Sequence, residues 1–566
     1  MKNAITIAKL TFLQAIRMKV AIAFITLLAI CLIAMPSLMT GDGTLAGQIR
    51  STLFYSFSAV TMLLSLLTLL IGAMLVSEDI RRRQIFLIAV KPVSRTDYLL
   101  GRFLGVMALN VVLITISAVA IYSMVASRRS EPTSTADRIA IETEVFTARD
   151  RLSPMPPNLD KRVGQRVAYL KEKGQYNKEL ENYRRHNKIL GGESPEEKFL
   201  RSLYILERKQ AELIQPHSMA VWNFEGVYPA GQTQTGTATL LAGNDTIRRY
   251  HFKADPDIVG RMQFGAPIRF GSQIKKDIGV KGGFSKHIEG QIVHIIHGEF
   301  FIELSKRTPL PQEFLVLQKQ KTIQFQIDPV MQLRYTAKPT SDLPAGHETL
   351  PRILSIGPPE QKPTVQTPPS QTAVHSAVTQ TFSAVDVAKD GKTQVVYWYG
   401  PIPQGARQPF PTIELAYEDV SLLYRADDFT PNYIRCWLLV LARLTFLTAL
   451  ALMLSSILDF PVAILTSMTL LLGSLLVGWL LSQQWGDPVP AKSFIDYLNV
   501  AIHYIMVVLM PDIGGVSAAE NISDGMNVSW GVLGNTYALT VLLRSGLYLS
   551  LGCWLFTRRE LADPRS

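Results

Sequence analysis

The 566-residue chain reads as an α-helical membrane protein of about six transmembrane helices, carrying an inserted extracytoplasmic α+β domain built as a helical stalk plus a β-sandwich. Three observations predict this. Apolar runs of roughly 20 residues, the length a bilayer core requires, gather near both ends of the chain. A polar middle of some three hundred residues separates them, and its texture changes once from charged and helical to short, alternating and turn-punctuated. Basic residues crowd one connection between two apolar runs, as expected of a cytoplasmic loop.

The hydrophobic fraction of 48% and mean hydropathy of +0.17 average these two populations. The formal net charge is +11. It does not point to nucleic acid, because no basic helix with groove-reading residues is present and much of the excess flanks the apolar runs. Topology and anionic lipid head groups account for it better. Cys31, Cys436 and Cys553 fall in or beside the apolar runs, so neither a disulfide framework nor a cysteine metal site is expected.

Residues 2–19 carry Ile5, Ala8, Phe12 and Ile16 at helical spacing, with Lys9 and Arg17 among the polar positions. This predicts an interfacial amphipathic helix. A signal peptide is the rival reading; the long, amphipathic basic region and an apolar run long enough to span favour an uncleaved start. Residues 20–39, 53–76 and 103–125 are the first three spans. Between the second and third lies SEDIRRRQIFLIAVKPVSRTDYLLGRFLG, residues 77–105. Its acid pair Glu78 and Asp79 precedes Arg81, Arg82 and Arg83. An apolar stretch follows, then Pro92, which ends any helix before it, then Arg95 and Arg102. By charge alone this is a solvated loop; as an amphipathic piece it would lie along the interface or dock onto a partner.

The excursion is expected over residues 126–434. Residues 137–213 read as helical, with Pro154, Pro156 and Pro157 breaking the first piece. Residues 214–430 read as β-rich, an antiparallel sandwich, with a Pro/Thr/Gln-rich linker at 356–373. Residues 435–566 hold spans four to six, and the run 491–510 is interrupted by Asp496, Asn499 and His503. That predicts a re-entrant hairpin near 491–525.

Charge orients the whole. Lys2, Lys9, Arg17 and Lys19, the bases of residues 77–105, and Arg558, Arg559 and Arg565 fall on one side. The short loops opposite hold only Arg50 and Lys492. Both termini are therefore expected in the cytoplasm and the inserted domain outside.

The order of parts in residues 77–105 resembles the coupling segment of ABC-2 type transporter permeases. The amphipathic AKLTFLQAIRMK, the turn ALALMLSSILDFPVAIL and the tail LMPDIGGVSAAENISDGMNVSW with LGCWLFTRREL are similar to that family's interface helix, small-residue turn, and re-entrant hairpin with closing basic motif. The resemblance covers nearly all the membrane portion and rests on order and spacing. The large insert departs from the common form. The resemblance implies a permease subunit, most simply an exporter, in the inner membrane of a bacterium. It implies a separate ATPase subunit that docks on residues 77–100 through Glu78, Asp79, Arg81, Arg82, Arg83, Pro92 and Arg95. It also implies a second permease subunit, a copy or a relative. ATP would be bound by the partner, and this chain would hold no cofactor and no catalytic residues. Another envelope protein or the cargo itself would be the partner of the outer domain.

Motifs for other chemistry are missing from the sequence. There is no G-x-x-x-x-G-K-[ST], H-E-x-x-H or G-x-S-x-G. His287, His294 and His297 are close in sequence, but on a strand His294 and His297 point to opposite faces. Trp222, Phe224, Trp398 and Tyr399 suit a sugar-stacking platform or a sandwich core. Arg443 and Arg544 lie within or near the ends of apolar runs, where a guanidinium serves a pathway or gate or else snorkels to an interface. The rival to transport is a membrane-anchored binding, sensor or scaffold protein.

Overall fold

The computed structural model describes residues 2–38, 44–81, 94–129, 131, 135–186, 194–227, 234–244, 249–259, 262, 267–270, 288–296, 299–304, 322–327, 330–344, 349–359, 365–366, 370–383, 391–400, 410–484 and 517–558. These form two compact units. One comprises residues 1–148 and 428–566, the other residues 149–427.

The first unit is helical. Helix α1 (Lys2–Arg17) has its polar and apolar residues on opposite sides, and α2 (Lys19–Leu38) is almost wholly apolar. They meet at a bend of 66°. Helix α3 (Leu45–Arg81) and helix α4 (Arg95–Arg129) flank the basic connection. A short helix α5 (Thr135–Ala140) runs into a π-helical turn, Ile141–Val145. Among the described residues four helices are long and apolar enough to cross a membrane: α3, α4, and the later Phe429–Ile457 and Trp530–Arg558; the bent α1–α2 pair makes a fifth if counted as one span. This is the make-up of a membrane-spanning bundle. The fifth expected span lies in Phe460–Gln484, whose apolar part Phe460–Gly473 is shorter. Six spans are therefore more than the described residues establish, and the predicted hairpin lies outside them up to residue 516.

The core of this unit is a continuous apolar cluster that includes Phe57, Leu64, Leu109, Trp437 and Leu447. Residues 126–148, expected to begin the excursion, cluster with the helices instead, because Ile141 and Val145 are buried in that same core. Arg50 near the start of α3 donates to Glu144 Oε2 at 2.9 Å and lies 3.8 Å from Asp524 Oδ1. Asn432 accepts from Val528 N and donates to Met526 O, both at 2.8 Å. Gly525 has φ +60°, and a Cβ there would sit 2.3 Å from Glu144 O. One end of the bundle is thus stitched together by short-range polar contacts. Asp79, near the other end of α3, is about 44 Å away at 1.5 Å per residue.

The chain passes into the second unit within strand β1 (Thr147–Leu152), in a region expected to be helical. Residues 153–158, with their three prolines, are not helical. Helices α6 (Leu159–Glu172), α7 (Tyr176–His186) and α8 (Pro195–Glu212) follow. Asn158 caps α6, and Ser194 with Glu197 forms a capping box on α8. Val163, Leu170, Tyr176, Phe199 and Leu203 give these helices a small core of their own.

The β-rich part is two bodies rather than one sandwich. Strands β2 (Leu213–Ile214) and β3 (Met219–Phe224) are followed by β4 (Gln234–Asn244), β5 (Arg249–Lys253), β6 (Pro267–Phe270), β7 (Ile288–Ile296), β8 (Glu299–Leu304) and β9 (Thr322–Ile327). Strands β4 to β9 close into a barrel in the order β4-β5-β8-β7-β6-β9, sealed by the β4–β9 pairing. Register shifts in β4 and β7 supply the extra twist that closure needs. Tyr250, Phe252, Phe300 and Phe325 fill it.

The remaining strands form the predicted sandwich. They are β10 (Val330–Thr336), β11 (Lys338–Pro339), β12 (Thr349–Gly357), β13 (Val365–Gln366), β14 (Ser370–Ala373), β15 (Ala377–Ser383), β16 (Thr393–Trp398), β17 (Ile413–Glu414) and β18 (Ser421–Asp428). One sheet runs β1-β18-β10-β15 and the other β13-β12-β16-β3, with β14 also paired to β12 and a small sheet β11-β17-β2 beside them. The expected linker at 356–373 therefore contributes two strand edges. Alternate residues of both sheets share one core, including Trp222, Met331, Leu354, Tyr397 and Leu422.

The chain leaves β18 into α9 (Phe429–Ile457), α10 (Phe460–Gln484), α11 (Ala518–Ser523) and the final helix α12 (Trp530–Arg558), which is π-helical over Tyr537–Ser545.

Candidate functional site

The two helices that flank the basic connection are locked together at its base. Asp79 stands two residues before the end of α3 and is 3% exposed. Its Oδ2 accepts from the Tyr98 hydroxyl and from Arg102 Nη2. Tyr98 and Arg102 lie one turn apart on α4, so both reach the same carboxylate. Arg102 Nη1 donates to Gln14 Oε1 at 2.6 Å, and its Nε lies 3.3 Å from the Tyr98 oxygen. A buried charge is tolerated only when paired and hydrogen-bonded, and here both partners are satisfied.

Helix α1 approaches this pair closely because α4 presents Gly101 and Gly105 to it. A Cβ on Gly101 would come within 2.6 Å of Ile7 Cβ, and one on Gly105 within 2.5 Å of Thr11 Cβ. G-x-x-x-G spacing puts both glycines on one face and lets two helix backbones approach. The closing helix joins as well. Arg95 Nη1 donates to the carbonyls of Phe556 and Thr557 at 3.1 and 2.9 Å, satisfying acceptors that the end of α12 leaves open. The Tyr98 and Phe556 rings stack at 5.8 Å. Ser94 begins α4 by accepting from Asp97 N at 2.9 Å. Four helices, α1, α3, α4 and α12, thus converge on the two stems of one connection.

The predicted docking residues divide accordingly. Asp79 and Arg95 are structural parts of the clamp. Arg81 faces outward, with 81% of its side chain exposed, whereas Glu78 is half-buried, and their 3.8 Å pair contributes little. Arg82, Arg83 and Pro92 lie outside the described residues. The sequence reading noted Arg102 but not its pairing with Asp79, nor Tyr98, Thr11 and Gln14. The available signal was an acid closing one apolar run and a base opening the next, beside a G-x-x-x-G.

Arg443 is the middle residue of α9. Its Nε is buried without a hydrogen-bond partner among the described residues. Arg544 lies in the π-helical stretch of α12. The two helices run parallel: Tyr537 donates to Leu438 O at 3.0 Å, and the Tyr548 and Phe446 rings meet at 5.6 Å. Those contacts bracket the two arginines at one level of neighbouring helices. Trp222, Phe224 and Tyr399 are buried in the sandwich and Trp398 is half-buried, so they form core rather than a platform. His294 lies on β7, while His287 and His297 lie outside the described residues. Among the described residues no cluster of three metal-ligating side chains occurs. Comparison with models of protein families, with curated proteins and with solved structures finds no match.

Proposed function

We propose that this chain is the membrane subunit of an ABC transporter of the ABC-2 type, without catalytic residues of its own. The observation that carries the reading is the clamp beneath the basic connection. A partner that pushes on residues 82–93 acts through short, fully hydrogen-bonded stems onto α1, α3, α4 and α12 together. A solvated loop needs no such base, whereas a lever does. In this reading a separate ATPase docks on Arg81, Arg82 and Arg83, and its ATP-driven closure moves the helices between two arrangements with different access. Six spans, cytoplasmic termini, an outer position for residues 149–427, a second permease subunit and a bacterial inner membrane belong to the same reading. Arg443 and Arg544 then lie along the pathway, where a buried guanidinium marks contact with an anionic group.

The test is affinity purification of the tagged protein from mild detergent with mass spectrometry, beside a variant with Arg81, Arg82 and Arg83 changed to Glu and topology verified. A P-loop ATPase recovered with the wild type and lost from the variant supports the reading. No ATPase with either protein transfers the weight to an anchored binding protein. That second reading draws on the closed barrel and sandwich, far more structure than a connecting loop requires.

A further inference from the structure

Strand β12 breaks the rule of its own sandwich. Leu350, Leu354 and Ile356 point into the core, and so, by the alternation of the strand, does Arg352. It is 3% exposed. One hydrogen bond holds it, from Nη2 to Gln380 Oε1 at 3.1 Å, and its guanidinium lies over the Tyr335 ring at 5.4 Å. Its Nε and Nη1 are buried and have no partner among the described residues. No carboxylate among the described residues pairs with it.

The neighbouring core is polar in the same sense. The Tyr397 hydroxyl is buried beside Thr372, with no hydrogen bond of normal geometry among the described residues. Thr372 is itself bonded to the Tyr335 hydroxyl at 2.8 Å. The Tyr335 and Tyr397 rings meet edge to face at 5.6 Å. Burial raises both phenol pKa values, so both stay O–H groups at neutral pH. A cation and a hydroxyl donor are thus left open in one apolar interior, where each unmade bond is costly.

We infer that the sandwich interior around Arg352, Tyr397 and Thr372 is a binding site for a carboxylate group. The charge count selects the class. One guanidinium balances one negative charge. The other buried arginine among the described residues of this unit, Arg149, bonds Gln332 on the opposite face of β10, so a dianionic phosphate would stay half-compensated. A carboxylate accepts from Arg352 and from Tyr397 and leaves the core neutral. The site is independent of the transport reading.

The experiment is hydrogen–deuterium exchange on the full-length protein in a non-ionic detergent, following peptides of β12 and β16. Sodium acetate is titrated against sodium chloride at equal ionic strength. The wild type, R352M and Y397F are compared. Saturable slowing by acetate in the wild type, lost in both variants, is the expected result. R352M without acetate should exchange no faster than the wild type, since it removes an uncompensated buried charge. Mass spectrometry of denatured wild-type and R352M protein purified in carboxylate-free buffer distinguishes the sources. A carboxylate-bearing molecule released only from the wild type assigns a larger ligand, and its absence beside an acetate response assigns a small one. No acetate effect on a wild type that also releases no carboxylate-bearing molecule, an effect equal in all three proteins, or faster exchange in R352M overturns the inference; Y397F keeps the acetate test open if R352M does not fold.

Discussion

Replacing Asp79 with Ala removes the carboxylate that Tyr98 and Arg102 share. Arg102 keeps Gln14 but stays buried with its charge unmatched. Breaking a buried, hydrogen-bonded ion pair from one side costs about 3–5 kcal/mol. At roughly 2–4 °C per kcal/mol for a folding unit of this order, the melting point should fall by on the order of 10 °C. The chain offers a reporter for this unit alone. Its three cysteines, Cys31, Cys436 and Cys553, all lie in the helical unit, and Cys436 is buried in its core. A maleimide dye that fluoresces on reaction therefore follows the opening of the bundle without interference from the inserted unit. The double variant D79A/R102M removes both charges and should recover most of the loss, because apolar replacement of a whole buried pair is often neutral. A D79A protein that melts within about 2 °C of the wild type, or a double variant no better than D79A, would refute the clamp.

Three further outcomes follow from the same structure. G105L forces a side chain into Thr11 and Ala8, an overpacking cost of about 1–3 kcal/mol, and should lift α1 from α4 so that trypsin cuts at Lys9 and Arg17 faster than in the wild type. In the inserted unit, burial pushes the phenols of Tyr335 and Tyr399 up to about 12. Their unfolded values lie near 10, so their stabilisation is complete below about pH 10 and is lost as pH rises towards 12. Tyrosinate absorbance should accordingly show a late fraction that appears only with loss of β-sheet circular dichroism, and early, full titration would contradict this. Changing Arg81, Arg82 and Arg83 to Glu should abolish ATPase recovery while leaving the thiol melting point unchanged, because Arg81, the one of the three described, is exposed. A lowered melting point would mean that these residues hold the fold instead.

The apolar runs declared the spans because a bilayer tolerates little else, and the helices Leu45–Arg81, Arg95–Arg129 and Phe429–Ile457 enclose the runs read from the sequence. Charge marked the connection after α3, and the short, alternating texture of residues 214–430 marked a β-rich region, since these signals are local and need only neighbouring residues. What lies between distant residues was not legible. That Arg102 meets Asp79 and Gln14 depends on how three helices pack, and a sequence records their types but not their partners. Closure of the barrel rests on the pairing of β4 with β9, nearly ninety residues away in the chain. Arg352 drew no reading from the sequence; only the second sheet, laid over its strand, turned that position into the interior. Hydropathy is a property of segments, whereas partnership between charges is a property of the packed chain, and it is decided by tertiary structure alone.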